Sequence, residues 1–300
     1  PCRLDGSIPA ADTRGEAGRC RADGPLFVGR WTESASGWFP GEAMTDPGFV
    51  VVIPARMGSS RLPGKPLIAI AGRPLIAHVV ARARESAAQR VIVASDDDRV
   101  LEAARQAGAE ARWTAPDLPS GTDRIAAVAA EEGWPDATCV VNLQGDEPLT
   151  PGSLLDRLAG LLQRYPRADM ATLGVPLRRV GDLRDPNQVK LVTDDAGRAL
   201  YFSRAPIPWD REAHRLGHEP DLALARRHLG LYAYRAGFLR RLTGYPPAGL
   251  ERLEQLEQLR ALALGAWIQV DIIDAPIPAG VDTPEDVERL EALMGATARA

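Results

Sequence analysis

The chain has 300 residues, 45% hydrophobic and 25% charged, an average globular composition with length enough for a sizeable core. Its 36 basic and 40 acidic side chains leave a net charge of −4, which excludes the basic footprint of a nucleic-acid binder, and no run of 18 apolar residues could span a membrane. Among the 36 cations only Lys65 and Lys190 are lysines, so each is worth locating. Cys2, Cys20 and Cys139 show neither paired nor metal-binding spacing, and the expected compartment is a reducing cytoplasm.

Residues 1–47 are rich in Gly, Pro, Arg and Ser and carry no helical or strand period, nor the apolar core of a signal peptide. They read as a disordered or non-native extension, with Met44 as the natural start. From Phe49 the pattern changes. FVVVIP (49–54) is a β-branched apolar run suited to a strand buried on both faces. RPLIAHVVARARESA (73–87) is helical, with Pro74 in its first turn and Ile76, Val79, Val80 and Ala83 on one face. RVIVAS (90–95) is a strand, the segment after it a helix closed by Gly108, and ATCVVNLQ (137–144) a strand. SLLDRLAGLLQRY then reads as helix and DMATLGVPL as strand. This alternation predicts an α/β fold, Rossmann-like, with three layers around a mixed, mostly parallel sheet. After Pro186 come the strand-like QVKLVTD, ALYFSR and HLGLYAYR. A long helix over 248–265, a strand at WIQVDII and a helix at TPEDVERLEALM follow. The expected layout is one domain over 48–300 with a strand-rich excursion near 186–235.

In such a sheet, ligands bind beyond the carboxyl ends of the strands, where strand order reverses. The first loop there is PARMGSSRLPGKPL (54–67). Gly58 and Gly64 allow a tight path, Ser59 and Ser60 add hydroxyls, and Arg56, Arg61 and Lys65 supply cations, so the loop is a candidate polyphosphate cradle. The alternative is a mobile basic surface loop. It is neither a Walker A loop, having five residues between Gly58 and Gly64 and Pro66 after Lys65, nor a dinucleotide fingerprint. LQGDEP (143–148) places Asp146 and Glu147 at a strand end, where a carboxylate can hold Mg²⁺, although Gly-Asp-x-Pro is also good turn chemistry. In GVDTPEDVERL (280–290) helix capping accounts for Thr283 and Asp286 but not for Asp282, a second candidate metal carboxylate. SDDD (95–98) and SGTDR (120–124) stay ambiguous. Ser120 or Thr122 could cap a helix or let main-chain groups read a base edge.

Taken in order, FVVVIPARMGSSRLPGKPL, SGTDR, VNLQGDEP, ALYFSRAPIPWDR, RHLGLYAYR, LEQLEQLR and GVDTPEDVERL give the chain a close resemblance to the 3-deoxy-manno-octulosonate (Kdo) cytidylyltransferases, over 49–290. The resemblance implies a nucleotide-diphospho-sugar-transferase fold and the reaction of CTP with Kdo to give CMP-Kdo and pyrophosphate, for lipopolysaccharide synthesis. It implies Mg²⁺ as cofactor, a cytoplasmic homodimer, and no nucleic-acid or membrane partner. Carried over by motif, Arg56, Ser59, Arg61 and Lys65 hold the phosphates, Ser120, Gly121 and Asp146 serve the nucleotide, and Asp146 and Asp282 are the metal carboxylates. Lys65, Arg56, Asp146 and Asp282 then form the catalytic set. The same resemblance gives the sugar acid to Gln144, Arg211, His228, Tyr232, Glu257 and Gln258.

A guanidinium at Arg211 suits the carboxylate of Kdo. His228 and Tyr232 lie at even spacing in a strand-like segment and so share a side, though a lone histidine is more often structural. Glu257 and Gln258 could instead be the solvated face of a helix whose core stripe is Leu253, Leu256 and Leu259. The expected chemistry is in-line attack of the sugar's anomeric hydroxyl on the α-phosphorus, driven by positioning and electrostatics. The rivals are 8-amino-Kdo or another 2-keto acid sugar as acceptor, and a related glycosyltransferase, for which DDD at 96–98 formally offers a D-x-D motif.

Overall fold

The computed structural model describes residues 48–58, 62–274 and 280–297, all within one compact unit, Thr45–Ala300. The extension 1–47, and with it Met44, lies outside the described residues. In chain order the first half holds β1 (Phe49–Ala55), a 3₁₀ turn (Lys65–Leu67), a two-strand ribbon of β2 (Ala69–Ile70) and β3 (Arg73–Pro74), and α1 (Leu75–Ala83). It continues through β4 (Arg90–Ser95), α2 (Asp98–Gln106), β5 (Glu110–Trp113), α3 (Gly121–Glu131), β6 (Cys139–Asn142) and α4 (Gly152–Arg164). The second half holds β7 (Met170–Pro176), α5 (Val180–Arg184), β8 (Lys190–Thr193), β9 (Ala199–Ser203), α6 (Arg211–Leu216) and β10 (Arg226–Arg235). It closes with α7 (Ala236–Thr243), α8 (Gly249–Glu254), α9 (Gln258–Ala263), β11 (Ile268–Ile272) and α10 (Pro284–Thr297).

The main sheet runs β11-β7-β10-β6-β1-β4-β5. Every neighbouring pair is parallel except those of β10, which is antiparallel to both β6 and β7. The expected mixed, mostly parallel sheet is therefore present. β1 is buried on both faces: Val51 and Ile53 pack with α1, α2 and α4, while Val50 and Val52 pack with α3, α7 and α9. Each such Val or Ile is worth about 1.5–3 kcal/mol on burial. That is why a continuous apolar run, not an alternating one, marks this strand. The chain builds outward from β1 to β4 and β5, then returns to add β6 on its other side, so strand order reverses beside β1.

The excursion strands β8 and β9 join the same sheet through β10. Lys190, at the start of β8, is fully buried, its ammonium donating to the carbonyls of Asp185 at 2.9 Å and Arg204 at 2.5 Å. Two expectations fail. Pro74 pairs in β3 and stands ahead of the first turn of α1, which ends at Ala83 rather than at residue 87. The long helix over 248–265 is two short helices, α8 and α9, separated by Gln255 in the left-handed conformation with φ 53°. The break leaves Leu253 79% exposed while Leu256 and Leu259 are buried, so the three leucines do not form one stripe.

Candidate active site

A cleft of about 420 Å³ opens at the C-terminal ends of β1 and β6, where the strand order reverses. Its walls are the end of β1 (Pro54 to Arg56), Lys65, the start of α3, the loop after β6 (Gln144 to Asp146), and Asp282. Two glycines let these loops approach. A Cβ on Gly145 would stand 2.9 Å from the Pro54 carbonyl, and one on Gly280 2.9 Å from that of Asp146. The amide of Val281 donates to the Asp146 carbonyl at 2.8 Å, tying the C-terminal loop to the β6 loop. The same loop starts α10, where Asp286 accepts from the amides of Asp282 and Thr283 while Thr283 Oγ1 accepts from the Asp286 amide. Capping thus uses Thr283 and Asp286 and leaves the Asp282 carboxylate aimed at the cleft.

At the outer end, Lys65 Nζ donates to Asp146 Oδ2 at 2.6 Å and Asp282 Oδ1 at 3.0 Å. Residues 81 and 217 positions away from Lys65 thus meet on one ammonium. Burial alone would pull the Lys65 pKa down, but the two carboxylates outweigh it and the net shift is upward. Glu147 sits beside them, accepting from Thr150 Oγ1 at 2.9 Å; burial raises its pKa, and Asp146 and Asp282 add to the rise. Arg56 is exposed and lines the cleft. Ser59 and Arg61 lie outside the described residues.

At the floor, Ser120 is the N-cap of α3 and accepts from the Asp123 amide at 3.1 Å, so the first turn of α3, with Gly121 at its head, faces the cleft. Arg124, one turn on, is a cleft residue that sequence reasoning passed over within SGTDR. It is 2% exposed, held by the carbonyl and hydroxyl of Thr114 and by Asp96 Oδ2 at 3.4 Å. Burial lowers its pKa, and nearby Arg56 adds to this. The available signal was a charge placed between Thr122 and Ile125, on the inward side of a helix. Asp96 thus gives its Oδ2 to Arg124, with its buried Oδ1 unpartnered among the described residues, and Asp97 caps α2 through the Arg99 amide at 2.9 Å. This use of SDDD gives no support to a D-x-D metal motif.

On the same turn of α3, Thr122 Oγ1 donates to the Glu257 carboxyl, whose pKa burial raises. Gln258 is 6% exposed, so the solvated-face alternative for this pair does not hold. Gln144 Nε2 donates to Asn142 Oδ1 at 3.3 Å, linking the cleft wall to the end of β6. His228 and Tyr232 do share one side of β10. The bulge between Leu229 and Tyr232 inserts two residues against β7 and preserves the alternation, and the rings lie 5.4 Å apart. His228 Nε2 meets Thr172 Oγ1 at 3.0 Å, and burial lowers its pKa to about 3, so the ring is neutral. Tyr234, next along this side, is buried with its pKa raised, chiefly by burial. Of the sugar-acid candidates only Gln144 lines the cleft. His228, Tyr232, Glu257 and Gln258 do not, although Glu257 lies against the cleft residue Ser120, and Arg211 stands exposed on α6.

Comparison with known proteins gives one answer. The family model for cytidylyltransferases matches residues 50–272. A 3-deoxy-manno-octulosonate cytidylyltransferase of Pseudomonas syringae pv. tomato is 52% identical over 253 residues, 83% of this chain and 98% of the relative. Its counterpart in Halorhodospira halophila is 52% identical over 258 residues, 85% of this chain and all of the relative. Among solved structures, a CMP:2-keto-3-deoxy-manno-octonic acid synthetase complexed with CTP superposes with a TM-score of 0.75 at 39% identity, covering 83% of this chain and 99% of that one. A cytidylyltransferase from Leptospira borgpetersenii, 20% identical with a TM-score of 0.54, shares the fold. With its cleft at the strand-order reversal and these relatives matched nearly end to end, the chain belongs to the 3-deoxy-manno-octulosonate cytidylyltransferase family.

Proposed function

We propose that this protein transfers CMP from CTP to Kdo, releasing pyrophosphate. The observation that carries the reading is the meeting of Lys65, Asp146 and Asp282 at the mouth of the cleft, in a chain of this family. The two substrates are both anions, and more charge gathers on the departing pyrophosphate. Lys65 and Arg56 offer cations for the phosphates at the outer end. The α3 N-terminus, with its positive dipole end, faces the same space. No group of three or more His, Cys, Asp and Glu side chains is placed to hold a metal among the described residues. Two carboxylates already converging on one cation nevertheless suit Mg²⁺, which commonly takes one or two protein carboxylates and fills its other positions with water and phosphate oxygens. Asp146 and Asp282 would hold it, and its chemistry there is neutralisation of phosphate charge.

Beside the cleft stand groups of another kind. Gln144, Tyr232, Glu257 and Gln258 offer hydrogen-bonding atoms suited to sugar hydroxyls, and His228, neutral and bonded to Thr172, braces Tyr232. Arg211, the cation suited to the carboxylate of Kdo, would have to reach the cleft from α6. Operation in the cytoplasm as a homodimer belongs to the same proposal, and light scattering tests the dimer. Among the described residues no helix is long and apolar enough to cross a membrane.

The decisive experiment measures pyrophosphate release with each of the four nucleoside triphosphates against Kdo, 8-amino-Kdo and sialic acid. CTP with Kdo should exceed every other pairing. A preference for 8-amino-Kdo or sialic acid reassigns the acceptor. Release of a nucleoside diphosphate from a sugar donor, with none of pyrophosphate from CTP, sinks the reading.

A further inference from the structure

Glu257 meets Thr122, beside the cleft residue Ser120, where the chain breaks at Gln255. Gln255 is a non-glycine residue in the left-handed region, where a Cβ is unfavourable, so something outside the turn must hold it. The holding group is Glu254, the last residue of α8. Its carboxylate accepts from Ser203 Oγ at 2.8 Å, Tyr201 OH at 3.3 Å and the Arg204 amide at 2.7 Å, all on or beside β9. Its carbonyl accepts from Arg204 Nε at 2.7 Å, and the Gln255 carbonyl from Arg204 Nη2 at 3.5 Å, so Arg204 caps the C-terminal end of α8. The Arg204 carbonyl in turn rests on the buried Lys190 ammonium, and Arg204 Nη1 donates to Pro186 at 2.9 Å. On the other side of the break, Arg260 of α9 grips Glu251 of α8 through two hydrogen bonds of 2.5 and 2.8 Å. The break is thus clamped from both flanks, and the β9 clamp belongs to a segment far from the cleft in sequence.

We propose that Glu254 is a positioning residue for the sugar-acid half of the site: docked on β9 and Arg204, it fixes the left-handed turn at Gln255 and so sets the Glu257 carboxyl against Thr122. The inference rests on the reading that Glu257 faces the sugar acid. It adds that the excursion strands control sugar-acid affinity without touching the ligand.

The test is steady-state kinetics of the full chain with each substrate varied in turn. Glu254→Gln keeps the shape of the side chain but removes the charge that three donors share. It should raise KM for Kdo about tenfold while changing KM for CTP less than about twofold. Adding Gln255→Gly should restore much of the Kdo KM, because glycine takes the left-handed turn without help. Ser203→Ala, which deletes a single donor, should move the Kdo KM the same way by a smaller factor, and it serves if Glu254→Gln does not fold. Equal increases for both substrates, no increase for either, or no rescue by Gln255→Gly would overturn the inference. Its failure leaves a wild-type protein that still releases pyrophosphate from CTP and Kdo, whereas failure of the underlying reading leaves wild type inactive with that pair.

Discussion

The cleft and the buried cluster beside it solve opposite electrostatic problems. At the mouth, charge is kept: Lys65 lies between Asp146 and Asp282, and Arg56 stays exposed. In the buried cluster beside it, burial works against charge: it raises the pKa of the Glu257 carboxyl and lowers that of the His228 ring to about 3. A region that meets a triphosphate gains from fixed ions. A region that meets sugar hydroxyls gains from neutral hydrogen-bonding groups, whose pairing is not diluted by solvent.

The largest effect should come at the mouth. Asp146→Ala or Asp282→Ala should lower kcat by about a thousandfold or more with thermal unfolding little changed. Near-normal rates in saturating Mg²⁺ would remove both from the catalytic set. Lys65→Arg should cost about ten- to a hundredfold in kcat/KM, since a forked guanidinium would crowd the phosphates where a compact ammonium fits. Equal rates in the two proteins would mean that only the charge matters.

Stability effects come next. Lys190→Met leaves the Asp185 and Arg204 carbonyls without their donor and should destabilise by about 1–3 kcal/mol in denaturant titration. Smaller still are two pH effects that probe the buried cluster. Because the Glu257 pKa is raised in the folded chain, the stability it confers is full below the ordinary 4.5 and declines as pH rises through the folded value. Glu257→Gln should therefore gain stability relative to wild type as pH rises above the ordinary 4.5. For His228 the sign reverses: its contribution is full above the ordinary 6.5 and is lost as pH falls toward about 3. His228→Gln should flatten that acid limb. Parallel pH curves for variant and wild type would place these side chains in water, and the contrast between the two regions would disappear.

The mouth was legible in the chain because each of its residues sits in a loop directly after a strand, or, for Asp282, before a capped helix. Capping explained Thr283 and Asp286 but left Asp282 only a weak signal; the family resemblance made it a metal carboxylate, and the fold brings it to Lys65. The buried cluster was less legible. Reading 248–265 as one helix made Glu257 and Gln258 look like a solvated face, and no local signal marks Gln255 as left-handed. Arg124 was hidden for a similar reason: nothing in SGTDR announces that Thr114 and Asp96 wait on neighbouring strand ends.

The sequence by itself determined the layers, because apolar runs and helical periods are local and their burial dominates folding. It also singled out Lys65 through a composition that otherwise uses arginine. Only the tertiary structure decided what Lys190 does, where the helix breaks, and which polar side chains lose their water. Those outcomes depend on partners far apart in the chain: an ammonium needs two carbonyls, a left-handed turn needs a clamp from another strand, and a pKa moves only when the fold removes solvent.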